Sequence, residues 1–407
     1  MCVPLLRPEL QFGNKWGWGA MFYYRYRPAS ELSLKELLYH EIYFGSTNEN
    51  NDPYDGKPFY SFGPERDRWF RLLECAWKPV AHINLTEWAK SLSAVLSQNS
   101  PMTFQEALSF DYVGALQEIP NPPELLVAMG LKTLVTHFID LYRPEDSYFA
   151  SFSKTCDNHL MWAHYASRYQ GYCLIFKPID GKLRQAVQDM RRSVHRLTPG
   201  GIGPHTSWQM PESFVFQDVV YGDKPAFGDA FMRLPQYVAH FSPDEPERIK
   251  LINAQERQYL EKHKSWSYEQ EVRLLLKAPL AWLMGEHVSF TKHERLFHYQ
   301  PTQLVGIITG PLMREEYRQQ IYEIIRDRVS RHSYTGDGVK TEVFDFVFFE
   351  AELEDNDRHI EVTPTKILSL SQETNKSDNG FDEKYQEWLD GWAIVFEGSK
   401  ASRVQIP

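Results

Sequence analysis

The sequence predicts an α+β fold, a mixed and mainly antiparallel sheet core with a large helical insertion. Three observations lead there. Short aromatic and apolar strand runs interleave with amphipathic helix periods, but without a regular βαβ repeat. Residues 65–140 read almost wholly as helix, interrupted at Pro79, Asn84, Pro101 and a Pro120 to Pro123 cluster. Across 407 residues, 42% are apolar and 24% charged, with 11 Trp, 22 Tyr and 25 Phe, which excludes disorder over most of the length.

Residues 1–20 read as an irregular leader. Residues 21–64 form the first part of the core. Met21 to Tyr26 is an aromatic strand closed by Pro28. Ser30 caps a helix from Glu31 to His40 whose Leu34, Leu37 and Leu38 share a face. Glu41 to Phe44 is a short strand, and Thr47 to Gly56 a loop by its turn chemistry. After the insertion, residues 141–370 carry the rest of the core. Ser147 to Ser153 is a strand. Asp157 or Asn158 caps a helix running to Gln170, where Gly171 ends it. Tyr172 to Phe176 is a buried strand, followed by a helix at about 181–193 and a Gly/Pro-rich loop at 199–211. Phe214 to Tyr221 is a strand, about 245–262 is helical, and Trp266 to Leu276 is a long strand. Gln303 to Thr309 is an apolar strand ending at Gly310-Pro311, 314–330 a charged helix, and Val343 to Phe349 a strand. Residues 371–407 read as a linker over 371–381 and a C-terminal helix. Trp388 and Trp392 stand four apart on that helix, a face suited to docking on the body or on a partner.

Charge and composition bound the function. Lys and Arg number 44 and Asp and Glu 54, a net of -10, so the chain has no overall attraction to nucleic acid or anionic lipid. Mean hydropathy is -0.48. No apolar run reaches the ~18 residues of a membrane span, and residues 1–20 lack the apolar region of a signal peptide. Cys2, Cys75, Cys156 and Cys173 are too far apart for a zinc knuckle or redox pair, which fits reduced thiols and a cytoplasmic location. No phosphate-binding loop, dinucleotide fingerprint or zinc-protease motif is present.

Five segments are able to carry chemistry. In a strand, Glu269, Glu271 and Arg273 share one face at about 7 Å spacing. Such charges suit a cleft, or equally a solvent-facing strand with an internal ion pair. Ser151 and Ser153 put two hydroxyls on one side of a strand end, where a ligand can approach the backbone. The helix Leu160 to Ala166 carries Trp162, His164 and Tyr165, an aromatic core pattern or a ligand wall. Arg25 and Arg27 face away from Tyr24 and Tyr26, and paired guanidinium groups suit a diphosphate or a plain surface edge. Asn51-Asp52-Pro53-Tyr54-Asp55 reads as an Asx turn at a pocket lip, or as a hard-cation loop through Asp52 and Asp55.

In this order the segments resemble DUF2971, a numbered bacterial domain-of-unknown-function family, from about residue 21 to about 330. The elements are Tyr24-Arg25-Tyr26-Arg27, Asn51 to Asp55, Ser151-Phe152-Ser153, Met161 to Ala166 and Trp266 to Arg273. The succession of a strand Arg, a Ser-x-Ser strand and a Glu-x-Glu strand is also similar to the signature of ADP-ribosyltransferases. That resemblance implies an NAD-consuming enzyme, of the kind found among bacterial toxins and phage-defence effectors. Arg25 or Arg27 would hold the diphosphate of NAD, and Ser151 and Ser153 would shape the nicotinamide pocket. Glu271 would be catalytic together with His164 and Tyr165, Glu269 would orient the acceptor, Asn51 and Asp52 would join the NAD-binding residues, and Tyr26, Trp162 and Tyr165 would stack on a ring. NAD would be the substrate, with no metal expected and a protein or nucleic-acid acceptor. The alternatives are a metal-dependent nucleotide hydrolase or nuclease using Asp52, Asp55, Glu269 and Glu271, and a non-catalytic sensor or scaffold.

Overall fold

A computed structural model describes residues 22–406 apart from residue 53, 81–84, 187–190, 199–200, 226, most of 235–256, 279–286, 333–340, 355–358, 371 and 398–399. The expected leader over 1–20 lies outside the described residues. The fold is α+β.

Its centre is a ten-stranded sheet. The strands are β1 (Tyr23–Arg27), β2 (Gly45–Ser46), β3 (Ser147–Ser153), β4 (Tyr172–Phe176), β5 (Gln217–Asp218), β6 (Glu271–Lys277), β7 (Leu304–Thr309), β8 (Phe346–Leu353), β9 (Ile360–Ser369) and β10 (Gln372–Asn375). The spatial order is β5-β6-β3-β1-β4-β7-β8-β9-β10, with β2 also on β3. Within this sheet β7 and β8 pair in parallel and the other pairs are antiparallel.

The strands β4 and β7, buried at every position, sit in the middle because both of their faces are covered. One face packs on α1 (Glu31–Leu38) through Leu34 and Leu37, and on α8 (Glu315–His332) through Ile321 and Ile325. The other packs on α7 (His159–Tyr165) through Met161 and Trp162, and on α9 (Phe381–Leu389) through Phe381 and Trp388. Ser30 caps α1 as the sequence indicated, its hydroxyl accepting from the Ser33 N–H at 3.2 Å.

Between β2 and β3 run α2 (Arg66–Trp77), α3 (Thr86–Gln98), α4 (Phe104–Ser109), α5 (Tyr112–Glu118) and α6 (Leu125–Asp140). These helices bury a separate core around Trp69, Trp77, Leu92, Leu116 and Val135.

Several expectations are corrected. The described residues of the helix expected at about 181–193 are not helical. Asp180 and Gly181 form a left-handed turn, and Lys182–Arg184 then pairs as a strand with Ser213–Val215. Arg191–Thr198 and Gly201–Gln209 form a hairpin where a helix end and a loop were expected. Phe214 to Tyr221 is three short strands rather than one. In 245–262 the described residues 246, 249, 250 and 253 are helical as expected, but the stretch ends in a 3-10 turn, Arg257–Leu260, and a strand, Glu261–His263.

The helix begun at Asn158 stops at Tyr165 rather than Gln170. Ser167, Arg168 and Tyr169 are all left-handed, and Gly171 closes the reversal with an N–H to the Ala166 carbonyl at 2.7 Å. A Cβ at Gly171 would run into the Arg27 carbonyl oxygen, so glycine is required there by close approach.

The tail differs most. Residues 372–375 are not a linker but the strand β10, paired with β9. Trp392 is not on the helix. Left-handed Gly391 ends α9, and Trp392 begins a strand, Trp392–Glu397. Trp388 docks on the body: it is 3% exposed, stacks on Phe22 at 4.8 Å and donates its indole N–H to the Val305 carbonyl at 3.2 Å.

Candidate functional site

The site begins with a parting of strands. β1 and β3 pair only at Tyr24 and Ser153, and beyond that pair they diverge. The cleft that opens has a volume of about 330 Å³, with Tyr24 to Arg27 on one wall and Phe149 to Ser153 on the other. Tyr165, Asn51, Asp55, Lys262, Glu269 and Glu271 close it.

Trp266 to Leu276 is not one strand. Lys264–Glu269 is a 3-10 turn, Gln270 is left-handed at φ 44, and β6 starts at Glu271. Glu269 and Glu271 therefore do not share a strand face by alternation. They meet because the turn folds back, and Lys262 takes both. Its Nζ lies 2.5 Å from Glu269 Oε2, 3.0 Å from Glu271 Oε2 and 3.4 Å from Asp55 Oδ2.

The left-handed turn is held from several sides. The Ser153 hydroxyl donates to the Glu269 carbonyl at 2.7 Å, and the Lys154 N–H to the Gln270 carbonyl at 3.1 Å. Asn158, which caps α7, donates its side-chain amide to the Tyr268 carbonyl at 3.3 Å.

Arg273 sits behind the pair, fully buried. Its Nε donates to Glu271 Oε1 at 2.8 Å, and its Nη2 to Glu271 Oε2 at 2.8 Å and Asp55 Oδ1 at 2.6 Å. Nη1 reaches the Tyr259 carbonyl at 3.0 Å, and the guanidinium lies 4.1 Å from the Phe149 ring centre.

The two glutamates are driven in opposite directions. Burial pushes Glu271 up, but the Arg273 and Lys262 charges and the Ser151 hydroxyl outweigh it and hold its carboxyl at about 2. Burial dominates at Glu269 and raises it, with the neighbouring Glu271 charge adding to the rise against Lys262 and Tyr165. The Tyr165 hydroxyl donates to Glu269 Oε1 at 2.5 Å and accepts from the Asn51 amide at 3.4 Å. One member of the pair is thus kept ionised while the other titrates closer to neutrality, the arrangement acid–base chemistry uses.

The other sequence candidates distribute as follows. Ser151 lines the cleft and bonds Glu271, while the Ser153 hydroxyl is committed to the Glu269 carbonyl. Arg25 and Arg27 leave β1 on the face opposite Ser153 and Glu271, as strand alternation requires of neighbours of Tyr24. Arg25 still spans the opening, donating to the Ser151 carbonyl at 3.3 Å and lying 5.4 Å from the Phe152 ring centre. Burial, with Arg27 beside it, lowers Arg25 to about 10, so it remains a cation at neutral pH. Arg27 is ion-paired with Glu36 of α1.

Tyr26 and Trp162 pack edge-on at 5.3 Å. Trp162 is fully buried with its indole N–H on the Cys156 carbonyl, so it is core and not a stacking platform. Asp52 makes the Asx turn, accepting from the Tyr54 N–H at 2.9 Å. His164 is exposed and faces a second, larger chamber rather than the cleft. Sequence reasoning missed Lys262, which lies in the charged run Glu261 to Lys264 and carries no sign of burial. It also gave Asp55 no role beyond a cation loop.

Asp55, Glu269 and Glu271 all turn on Lys262, and Asp55 and Glu271 also on Arg273. Among the described residues no group of three or more His, Cys, Asp and Glu side chains is placed to hold a metal ion.

Residues 161–274 match the family model described as Protein of unknown function (DUF2971). This segment is similar to that family. The DUF2971 match runs from α7 into β6, so it holds Tyr165, Lys262, Glu269, Glu271 and Arg273, while Arg25, Asp55 and Ser151 precede it. No curated protein and no solved structure matches the chain. Among the described residues no helix is long and apolar enough to cross a membrane.

Proposed function

We propose that the cleft breaks the nicotinamide–ribose bond of NAD, in the manner of an ADP-ribosyltransferase or NAD glycohydrolase. The observation that carries this reading is the Glu269–Glu271 pair, two carboxylates on one ammonium, one held ionised and one raised. When the C–N bond breaks, its electron pair leaves with nicotinamide and a cation develops on the ribose carbon. Glu271, ionised at any physiological pH, supplies negative potential to that carbon. Glu269 takes the proton of the incoming hydroxyl or water, with Tyr165 fixing its orientation. Arg25 at the opening meets the diphosphate, and Ser151 lines the nicotinamide end.

The test is nicotinamide release from NAD by the purified protein. Glu269→Gln should lower the rate by roughly 10²–10⁴, the range for losing a general base. Arg25→Ala should act chiefly on KM, because its contact exists in ground and transition states alike. A wild-type protein that releases no nicotinamide, or a folded Glu269→Gln variant at full rate, removes the reading. The second outcome would leave the charge cluster a structural network, which its complete internal pairing also favours.

A further inference from the structure

Behind the cleft lies a second chamber of about 1010 Å³, and Asn51, Asp55 and Lys262 line both. One stretch of its wall is aromatic, and Asp52, Asp55 and Glu261 are among the other lining residues. Trp266 and Tyr268 are half-buried with ring centres 6.1 Å apart at 38°, and His164 continues the arc 6.3 Å from Tyr268 at 35°. Tyr54 stands at the lip, 73% exposed. Such an arc offers π-faces for stacking. Among the lining residues, Lys57 and Lys224 form no ion pair among the described residues, while Asp223 is taken by Lys264 at 2.8 Å. Planar apolar faces beside available ammonium groups suit a ring joined to a phosphate.

We propose that this chamber is a nucleotide-binding site, with a nucleobase stacked on Trp266 and Tyr268 and its phosphate at Lys57 and Lys224. Occupancy is felt in the cleft, because the Lys262 ammonium lies 5.2 Å from the Trp266 ring centre and also holds Glu269 and Glu271. The inference rests on the proposed activity only for the identity of the bond broken next door. The nucleotide has two possible sources, the adenosine half of the same NAD molecule or a separate nucleotide.

Calorimetric titration of the full chain with AMP tests it. AMP should bind, and ribose 5-phosphate should bind at least ten-fold more weakly. Trp266→Leu should weaken AMP by roughly 10- to 100-fold, the range for losing one stacked base, and Trp266→Phe should restore most of the affinity. Competitive inhibition of NAD turnover by AMP assigns the site to the adenosine half; binding without competition assigns it to a separate nucleotide; both sustain the site. Equal affinity for AMP and ribose 5-phosphate, or unchanged AMP binding in Trp266→Leu, overturns it. AMP binding by a protein with no NAD turnover defeats only the activity assigned to the cleft. NAD turnover with no AMP binding defeats only the chamber.

Discussion

Tyr165 and Glu269, 104 residues apart in sequence, meet through a 2.5 Å hydrogen bond from the phenol to Oε1. The contact ties the end of α7 to the turn before β6, and the Tyr165 phenol and the Lys262 ammonium hold one carboxylate oxygen of Glu269 each.

Tyr165→Phe removes that donor and keeps the ring. The phenol hydrogen bond lowers Glu269, so its loss moves Glu269 further up. The rise of nicotinamide release with pH should shift to higher pH, and the rate below the midpoint should fall. Stability should change by only about 1 kcal/mol, as for a single hydrogen bond. The pH–rate profile of the variant checks this, and an unmoved midpoint counts against Glu269 as the titrating base.

Stability should carry two opposing pH dependences. Glu271 stays ionised in the fold down to about 2 but takes a proton near 4.5 when unfolded. Its contribution is fully present above pH 4.5 and is lost as pH falls toward 2, on the order of 3 kcal/mol in all. Glu269 is raised in the fold, so its contribution is greatest below the unfolded value and fades as pH rises through the folded one. Urea unfolding at pH 3 and pH 6 should show Glu271→Gln closer to wild type at pH 3 than at pH 6.

Arg273→Met should cost roughly 3–5 kcal/mol, because it strands the buried carboxylates of Glu271 and Asp55. Adding Glu271→Leu removes one stranded charge and should recover part of the loss. Denaturant midpoints of the two single variants and the double variant measure the coupling, and strict additivity would contradict the geometry.

Trp388→Ala should destabilise by about 3–5 kcal/mol, as truncating a buried aromatic does. Deletion of residues 371–407 removes α9 and β10 together and should lower the melting temperature far more than a linker deletion would. A truncated protein that melts like the full chain would show the docking to be dispensable.

Much of the architecture was legible because it rests on local signals. The aromatic run of β1, the Ser30 cap and the apolar strands β4 and β7 are dictated by alternation, a capping hydroxyl and continuous hydrophobicity. Gly391 was a readable stop after α9, the glycine expected just past a helix end, yet the four-residue spacing of Trp388 and Trp392 outweighed it. The turn at Gln270 was not readable. Its left-handed backbone is held by contacts from Ser153, Lys154 and Asn158, all more than 100 residues away in sequence. The same holds for the site: Glu269, Glu271, Ser151 and Tyr165 stood out by residue type. Lys262 did not, because a lysine among Glu261, His263 and Lys264 looks solvated until three carboxylates are seen around it.

The central sheet ends at one side in β5, two residues long, and at the other in β10, the polar tetrapeptide Gln372–Asn375. Short, hydrophilic borders give a neighbouring molecule little backbone to pair with. Strip β10 away and the border becomes β9, ten residues from Ile360 to Ser369. Four of its residues, Lys366 to Ser369, would lose their present ladder to β10. The C-terminal segment is thus a guard against self-association as well as a packing element, and a shortened chain should form sheet-linked aggregates at concentrations where the full chain does not.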